Sequence, residues 1–423
     1  MNNAAARIPE AEEQGHVIAG KAVLVRAVYE GKDVTPYWEI LMARVSANLA
    51  DAGAFMDLSI ILQVLGRSDE AAIAQNGALE TSRDYRIRNG SGTGIRVLVI
   101  VTRGDFMANT PIEFLLESSD TSILLHYVDE TTAALDDVPE HDVAFVAVGE
   151  SPGNRPVLEN LERMLATWKG PILNNAPRAI IDLSREGVSQ AFRDEPAILA
   201  PLTSRIARAE LRDLANGTRG LDTVDGLSTF PVIVRPTGTH AGHGMEKIAT
   251  EDELAGYLEG RDETDFYIAP FIDYSSEDGK FRKQRIAVID GKPYASHLAI
   301  SDHWMVHYLS AGMAEHGERR LEEASWMENF DADFAMRHAK AFDALSRRFG
   351  LDYFAIDCAE LSDGRLLLFE ADVAMIVHAM DSETVFPYKK KAMAALFAAF
   401  ENALAKRVVR DAKAGPLSVV KTL

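Results

Sequence analysis

Residues 353–372 constrain the fold more than any other stretch of this chain. Two apolar runs, Tyr353-Phe-Ala-Ile-Asp-Cys-Ala-Glu-Leu361 and Leu366-Leu-Leu-Phe-Glu-Ala-Asp372, flank Ser362-Asp-Gly-Arg365. Asp-Gly between two such runs is a strong hairpin signal. A two-residue turn there pairs Leu361 with Leu366 and, further out, Asp357 with Glu370. Asp372 lies two residues beyond Glu370 and therefore on the same face. Directly opposed like charges sit about 4.5–5.5 Å apart at Cβ and destabilise a sheet. Three crowded carboxylates call for a counter-charge, and clustered hard oxygens suit Mg2+ or Mn2+. Phe354, Ile356, Leu367 and Phe369 are expected on the opposite face, with Leu366 and Leu368 beside the acids, so the hairpin is expected to be buried on both sides. Two other readings stay open: a solvated acidic face, and a slipped register that turns Asp357 away from its partners.

The chain has 423 residues, enough for more than one domain. Its net charge of −20 disfavours nucleic acid and anionic membrane surfaces as partners, since both want basic patches. The single cysteine, Cys358, excludes an internal disulfide, fits a reducing compartment and reads as a small buried hydrophobe. Met1–Gln14 is polar and acidic, without the apolar core of a signal peptide, and no segment approaches 18 uninterrupted apolar residues. A cytoplasmic location is the expectation.

Residues 34–86 read as helical. Trp38, Leu41, Met42, Val45 and Leu49 recur at helical spacing; a second helix spans about 55–65, and Ser68 is placed to cap a third. Leu62–Ala74 resembles one tetratricopeptide-type helix pair, with a plain helical region as the alternative and no second copy to suggest a solenoid. Asn89–Gly94 is a linker by composition. Ile95–Val101, Ile123–Val128 and Val143–Val148 alternate with helical stretches such as Pro156–Trp168, and Pro171–Asn174 reads as a short fourth strand. That order predicts a small parallel α/β layer. Gly149–Gly153 lacks a dinucleotide fingerprint and reads as a turn. From about Leu202 the order becomes α+β. Strands are expected over Val232–Arg235, Phe266–Ile272, Gln284–Ile289 and Ser296–Ile300. Helices are expected over Ala332–Phe349, stopped by Gly350, and over Tyr388–Arg407. The fold class is thus α+β joined to α/β. The expected divisions are a helical region over 1–90, an α/β domain over 93–175, and a domain over 176–410 with subdomains of about 190–268 and 269–410.

One further segment carries chemistry. Pro231-Val-Ile-Val-Arg-Pro-Thr-Gly-Thr-His-Ala-Gly-His-Gly-Met-Glu-Lys-Ile248 reads as a strand, a glycine-rich loop and a returning strand. Gly238, Gly242 and Gly244 let backbone N–H groups approach phosphate oxygens. Thr237, Thr239, His240 and His243 add hydrogen-bonding side chains. The spacing is not that of a Walker loop, and a plain structural turn is the competing reading. Arg235, leaving an apolar strand at the loop's edge, wants an anion.

Taken in order, the Val-x-Arg-Pro strand with its glycine loop, Phe266-Tyr-Ile-Ala-Pro-Phe-Ile-Asp273, Arg285 in Lys-Gln-Arg-Ile-Ala-Val, and the Asp357…Glu370-x-Asp372 hairpin resemble ATP-grasp enzymes. The resemblance is nearest the branch with glutathione synthetase and the ribosomal-protein glutamate ligase. It covers about 175–410, and 95–175 is similar to the α/β domain that precedes the grasp. It implies two antiparallel sheets with nucleotide between them. Arg235 would contact ATP phosphate, and 237–244 would fold over the β- and γ-phosphates. Ala269, Pro270, Phe271 and Ile272 would form a hinge whose backbone reads adenine, and Asp273 would meet the ribose. Arg285 would face the transferring phosphoryl group. Asp357 and Glu370 would hold Mg2+ (or Mn2+), with Glu370 bridging two ions and Asp372 replacing the usual asparagine. Three departures stand out: arginine for lysine at 235, aspartate for asparagine at 372, and Ser301-Asp-His-Trp-Met-Val-His-Tyr308 where the family often has arginine-x-asparagine. His303 and His307, with His297, are candidates to line an acceptor pocket or accept a proton; the competing reading is structural or surface histidines. A zinc site finds no support. The implied activity is ATP-dependent joining of a small carboxylate to an amine. A kinase, or a nucleotide-binding scaffold that captures a peptide through the helical N-terminus, are the rivals. The helical region is also a candidate to present a peptide or carrier protein to a ligase, and homo-oligomers are common among similar enzymes.

Overall fold

The computed structural model describes residues 15–239 and 242–414; the polar stretch Met1–Gln14 and His240 lie outside the described residues. The chain divides into two compact units.

The first unit takes the chain up to Ile181, then Leu351–Phe354, then the chain from Val373 onward. Its six-stranded sheet has the spatial order His16–Val17, Asp84–Arg88, Ser122–Tyr127, Arg96–Val101, Val143–Val146, Ile172–Leu173. The last four pair in parallel, a pairing that needs crossover connections rather than tight turns. Val97–Ile100 are fully buried, which explains why they read as an unbroken apolar run. Helices Thr35–Ala47, Ala52–Val64 and Ser68–Thr81 occupy the N-terminal stretch. The helical reading of 34–86 fails at its end, where Asp84–Arg88 is a strand. Tyr85 and Ile87 are buried there while Asp84, Arg86 and Arg88 are not, a two-residue period that overrides the helical pattern. Ser68 is a helical residue rather than a cap. Asp51 caps the preceding helix instead, accepting from Ala54 N at 2.9 Å.

Helix Gly20–Tyr29, which no capping residue announces, begins at Gly20 with φ +79°. Its first amides bond to two carboxylates from other helices. Asp57 accepts from Ala19 N and Gly20 N at 2.9 and 3.1 Å, and Glu113 accepts from Lys21 N and Ala22 N. A Cβ at position 20 would fall 2.5 Å from Glu113 Oε2, so glycine is required there. The C-terminal helix Lys389–Ala414 sets Phe400 edge-on to Phe145 and Tyr353.

The second unit takes Asp182–Gly350 and Ala355–Asp372. One sheet runs Glu246–Ile248, Val232–Pro236, Asp265–Pro270, Ser204–Ala207, antiparallel throughout. The other runs Lys292–Ser301, Phe281–Ile289, Tyr353–Glu360, Leu366–Asp372, with Ile198–Leu199 parallel at its edge. Helices cover Gly317–Glu328, Phe334–Arg337 and Ala339–Phe349. The single helix expected over 332–349 is broken at buried His338, whose ring lies 4.5 Å from that of Phe334. It ends, as expected, at left-handed Gly350. The mixed α/β and α+β architecture of the sequence reading is the architecture observed. Among the described residues no helix is long and apolar enough to cross a membrane.

Candidate active site

The acidic hairpin forms with Asp357 directly opposite Glu370. It reaches that register by a different route from the two-residue turn. Glu360 pairs with Leu366, so Leu361–Arg365 make a longer turn in which Gly364 N donates to Leu361 O and Asp363 Oδ1 accepts from Arg365 N. A β-bulge beside Asp357 leaves Phe369 unopposed and restores the pairing. Asp357 and Asp372 are buried, as are Cys358, Leu366, Leu367 and Leu368, so the hairpin is covered on both faces. A solvated acidic face is thereby excluded.

The counter-charges are side chains. Asp357 Oδ2 accepts from Lys283 Nζ at 2.9 Å and from Arg285 Nη2 at 3.0 Å; its Oδ1 accepts from Arg285 Nε at 2.8 Å. Lys283 and Arg285 project from the neighbouring strand Phe281–Ile289, two residues apart and so on one face. Glu370 Oε1 accepts from Arg185 Nη2 at 2.9 Å, from the start of helix Arg185–Ala191. Burial alone would push the Asp357 carboxyl up, but Arg285 and Lys283 hold it well below the usual carboxylate range. Glu370 is likewise lowered: burial opposes, and Arg185 and Arg235 prevail. Both acids stay ionised at neutral pH.

Arg235 lies on strand Val232–Pro236 opposite Tyr267 and is 6% exposed. Its Nη2 donates to the carbonyl and, at 3.1 Å, to the hydroxyl of Thr239. Its Nε is buried without a partner. Burial, then the charge of Arg185, lowers it to about 10, so it remains a cation. The loop that follows is the expected strand–loop–strand, with Gly238, Gly242 and Gly244 all at φ near +70°. A Cβ on Gly244 would meet Pro236 Cδ at 2.9 Å. His243 is exposed, and His240 is outside the described residues.

At the expected hinge, Ala269 and Pro270 are still in the ladder, opposite Ile233 and Val232, and Phe271 N donates to Pro231 O. Lys247 Nζ lies 3.7 Å over the Phe271 ring, and Trp304 packs against its edge. Ile272 is partly buried. Asp273 accepts from Ser275 N at 2.9 Å, a bond that lowers its carboxyl.

The histidines separate. His303 is exposed, its N–H donating to Ser301 Oγ. His297, opposite Arg285 in register, packs its ring 4.4 Å from that of Tyr308. His307 is half-buried. Burial and then the charges of Lys283 and Arg285 hold its imidazole below the ordinary value, with Asp357 pulling the other way.

The expected metal set does not fit this arrangement. Both oxygens of Asp357 and one of Glu370 are taken by cations, and among the described residues no group of three Asp, Glu, His or Cys side chains is placed to hold an ion. What converges is Arg185, Arg235, Lys283 and Arg285 around Asp357 and Glu370, a surplus of positive charge suited to a polyanion. Lys283 and Arg185 were not among the expected residues. The first was legible, two positions from Arg285 on one strand; the second lies about 185 positions from Glu370, with no local pattern to link them.

No family model and no curated protein matches the chain. Among solved structures it is similar to the D-alanine–D-alanine ligase of Bacillus anthracis complexed with ATP, at 14% identity and a TM-score of 0.43, over 77% of this chain and 100% of that one. It is similar to the D-alanine–D-alanine ligase of Coxiella burnetii at 12% and 0.46, over 76% and 98%. It is also similar to a RimK domain ATP-grasp protein of Sphaerobacter thermophilus at 12% and 0.42, over 73% and 99%.

Proposed function

We propose that the chain is an ATP-grasp carboxylate–amine ligase, forming an amide by way of an acyl phosphate. The observation that carries this reading is the in-register Asp357–Glu370 pair ringed by Arg185, Arg235, Lys283 and Arg285, in the unit that also holds the glycine loop. Four ATP-grasp motifs in chain order support it.

Phosphoryl transfer asks the protein for alignment and cations rather than covalent help. Arg235 and the loop amides would hold the terminal phosphates, while Lys283 and Arg285 face the transferring group. A substrate carboxylate oxygen would attack the γ-phosphorus, releasing ADP. The amine would then attack the acyl carbon, expelling phosphate and losing a proton. His307, held neutral by burial and by its cationic neighbours, is available to accept that proton. The small carboxylate and amine substrates are free metabolites in this reading, and the lone buried Cys358 fits a reducing, cytoplasmic setting.

The test is an ADP-release screen of the full chain across paired amino acids and small carboxylates with Mg·ATP, repeated with hydroxylamine to trap the acyl phosphate. Arg285→Ala should lower turnover by about 10²–10³-fold with a smaller change in ATP affinity. A stable phosphorylated acid without amide would replace the ligase by a kinase. Nucleotide binding with no acceptor ever provoking ADP release would favour a scaffold.

A further inference from the structure

We propose that Asp357 is not a metal ligand in this chain but the anchor of a fixed cation pair, Lys283 and Arg285, that takes a divalent ion's place against a bound polyphosphate. The polyphosphate in this inference rests on the nucleotide reading; the cation pair does not.

Both oxygens of Asp357 are engaged by cations, through three charge-assisted bonds of 2.8–3.0 Å. All three side chains are largely shielded, with exposures of 5% for Asp357, 17% for Lys283 and 21% for Arg285. Mg2+ demands several oxygen ligands in near-octahedral geometry. An ion seated on Asp357 would have to displace two cations and then lie beside them in a medium that screens poorly. Both cations come from one strand at positions two apart, and the partner strand Tyr353–Glu360 is adjacent in the same sheet. The pair is therefore held by the sheet itself, ready before any anion arrives. Glu370 has a cation of its own, Arg185, on Oε1.

The experiment uses the full chain without nucleotide and Mn2+ as the probe, with bound ion read from loss of the free Mn2+ electron paramagnetic resonance signal. Wild type and Asp357→Asn should bind the same amount of Mn2+. Lys283→Met, which keeps the stem and removes the ammonium, should gain Mn2+ affinity about tenfold or more, and Lys283→Met/Asp357→Asn should lose that gain. Lys283→Arg should behave as wild type. Each variant is first shown to unfold cooperatively on heating. The inference is overturned if Asp357→Asn removes a Mn2+ site from the wild-type chain, or if folded Lys283→Met gains none. Should Lys283→Met not fold, the Asp357→Asn stoichiometry alone decides. If the Mn2+ results hold but ATP binds neither with Mg2+ nor in EDTA, it is the nucleotide reading that falls. If ATP binds in EDTA, Lys283→Met should weaken it at least tenfold; an unchanged affinity removes Lys283 from the phosphate site and overturns the proposed role.

Discussion

Arg235 shows how much one side chain can say about a site. A guanidinium that is 6% exposed loses most of its hydration, and proteins normally repay that loss with a full set of acceptors. Here Nη2 is spent on Thr239, while Nε is buried without a partner. Burial and the nearby Arg185 depress it to about 10, which leaves it charged at neutral pH and destabilised until an anion arrives. Arg235→Lys keeps the charge but loses the planar fork that ties strand to loop. Its affinity for Mg·ATP should fall about 10–100-fold, the equivalent of one or two charge-assisted hydrogen bonds, and Arg235→Ala should fall further. Calorimetric titration with a non-hydrolysable ATP analogue measures this, and unchanged affinity in both variants would take Arg235 out of the phosphate site. The sequence exposed Arg235 because a lone charge closing an apolar strand is conspicuous. It did not expose Arg185, whose position carries no local signal and whose meaning comes from Glu370, far along the chain.

Single elements were more legible in kind than in detail. The hairpin's outer end, with Ala355 opposite Asp372 and Asp357 opposite Glu370, has the register read from the sequence, whereas its inner end is shifted by one residue: the turn is longer than Asp-Gly alone implies, and the bulge at Phe369 takes up the difference. Alternating patterns count side chains and cannot see a residue that drops out of the ladder. Helix Gly20–Tyr29 escaped notice for a related reason, since its N-terminal amides are satisfied by Asp57 and Glu113 rather than by a capping residue of its own. That arrangement makes a pH prediction. Burial raises Asp57 to about 7, against 3.8 as its ordinary value, and raises Glu113 as well. A carboxyl whose folded-state value is raised stabilises the fold most when it is protonated. Its contribution is complete below about pH 4 and is lost as pH rises toward 7. Between those limits the first unit should lose about 1.4 kcal/mol of stability per pH unit from Asp57 alone. Denaturant unfolding at pH 5, 6 and 7 should show this slope, which levels off by pH 8, and Asp57→Asn should flatten it. An identical slope in that variant would assign the effect to other groups.

At the scale of the whole molecule, neither unit is one continuous stretch of chain. The first is assembled from three segments and the second from two, the chain passing between them at 181, 350, 354 and 372. A sequence is read locally, so domain limits drawn from changes of composition were bound to be contiguous, and this interleaving could not be read from them. It has a direct consequence for fragments. Residues 1–181 contain all six strands of the first unit's sheet but not all of what packs on it. Phe145 loses Tyr353 and Phe400, and Asn174 loses its paired hydrogen bonds with the Tyr353 backbone, at 2.8 and 2.9 Å, along with its bond to Asp352. Removing one such buried aromatic partner costs about 3–5 kcal/mol, comparable to the whole stability of many domains. The fragment 1–181 should therefore lack a cooperative thermal transition. Residues 182–372, by contrast, carry every segment of the second unit, both its sheets and all the candidate phosphate-binding residues. That fragment should unfold in a single cooperative transition and bind the ATP analogue within about tenfold of the full chain, one such step being about 1.4 kcal/mol. Circular dichroism melts and calorimetric titration of the two fragments test both statements. A 182–372 fragment that folds but does not bind nucleotide would mean that the first unit supplies part of the nucleotide's binding energy, and the cationic cluster alone would then be insufficient to account for the affinity.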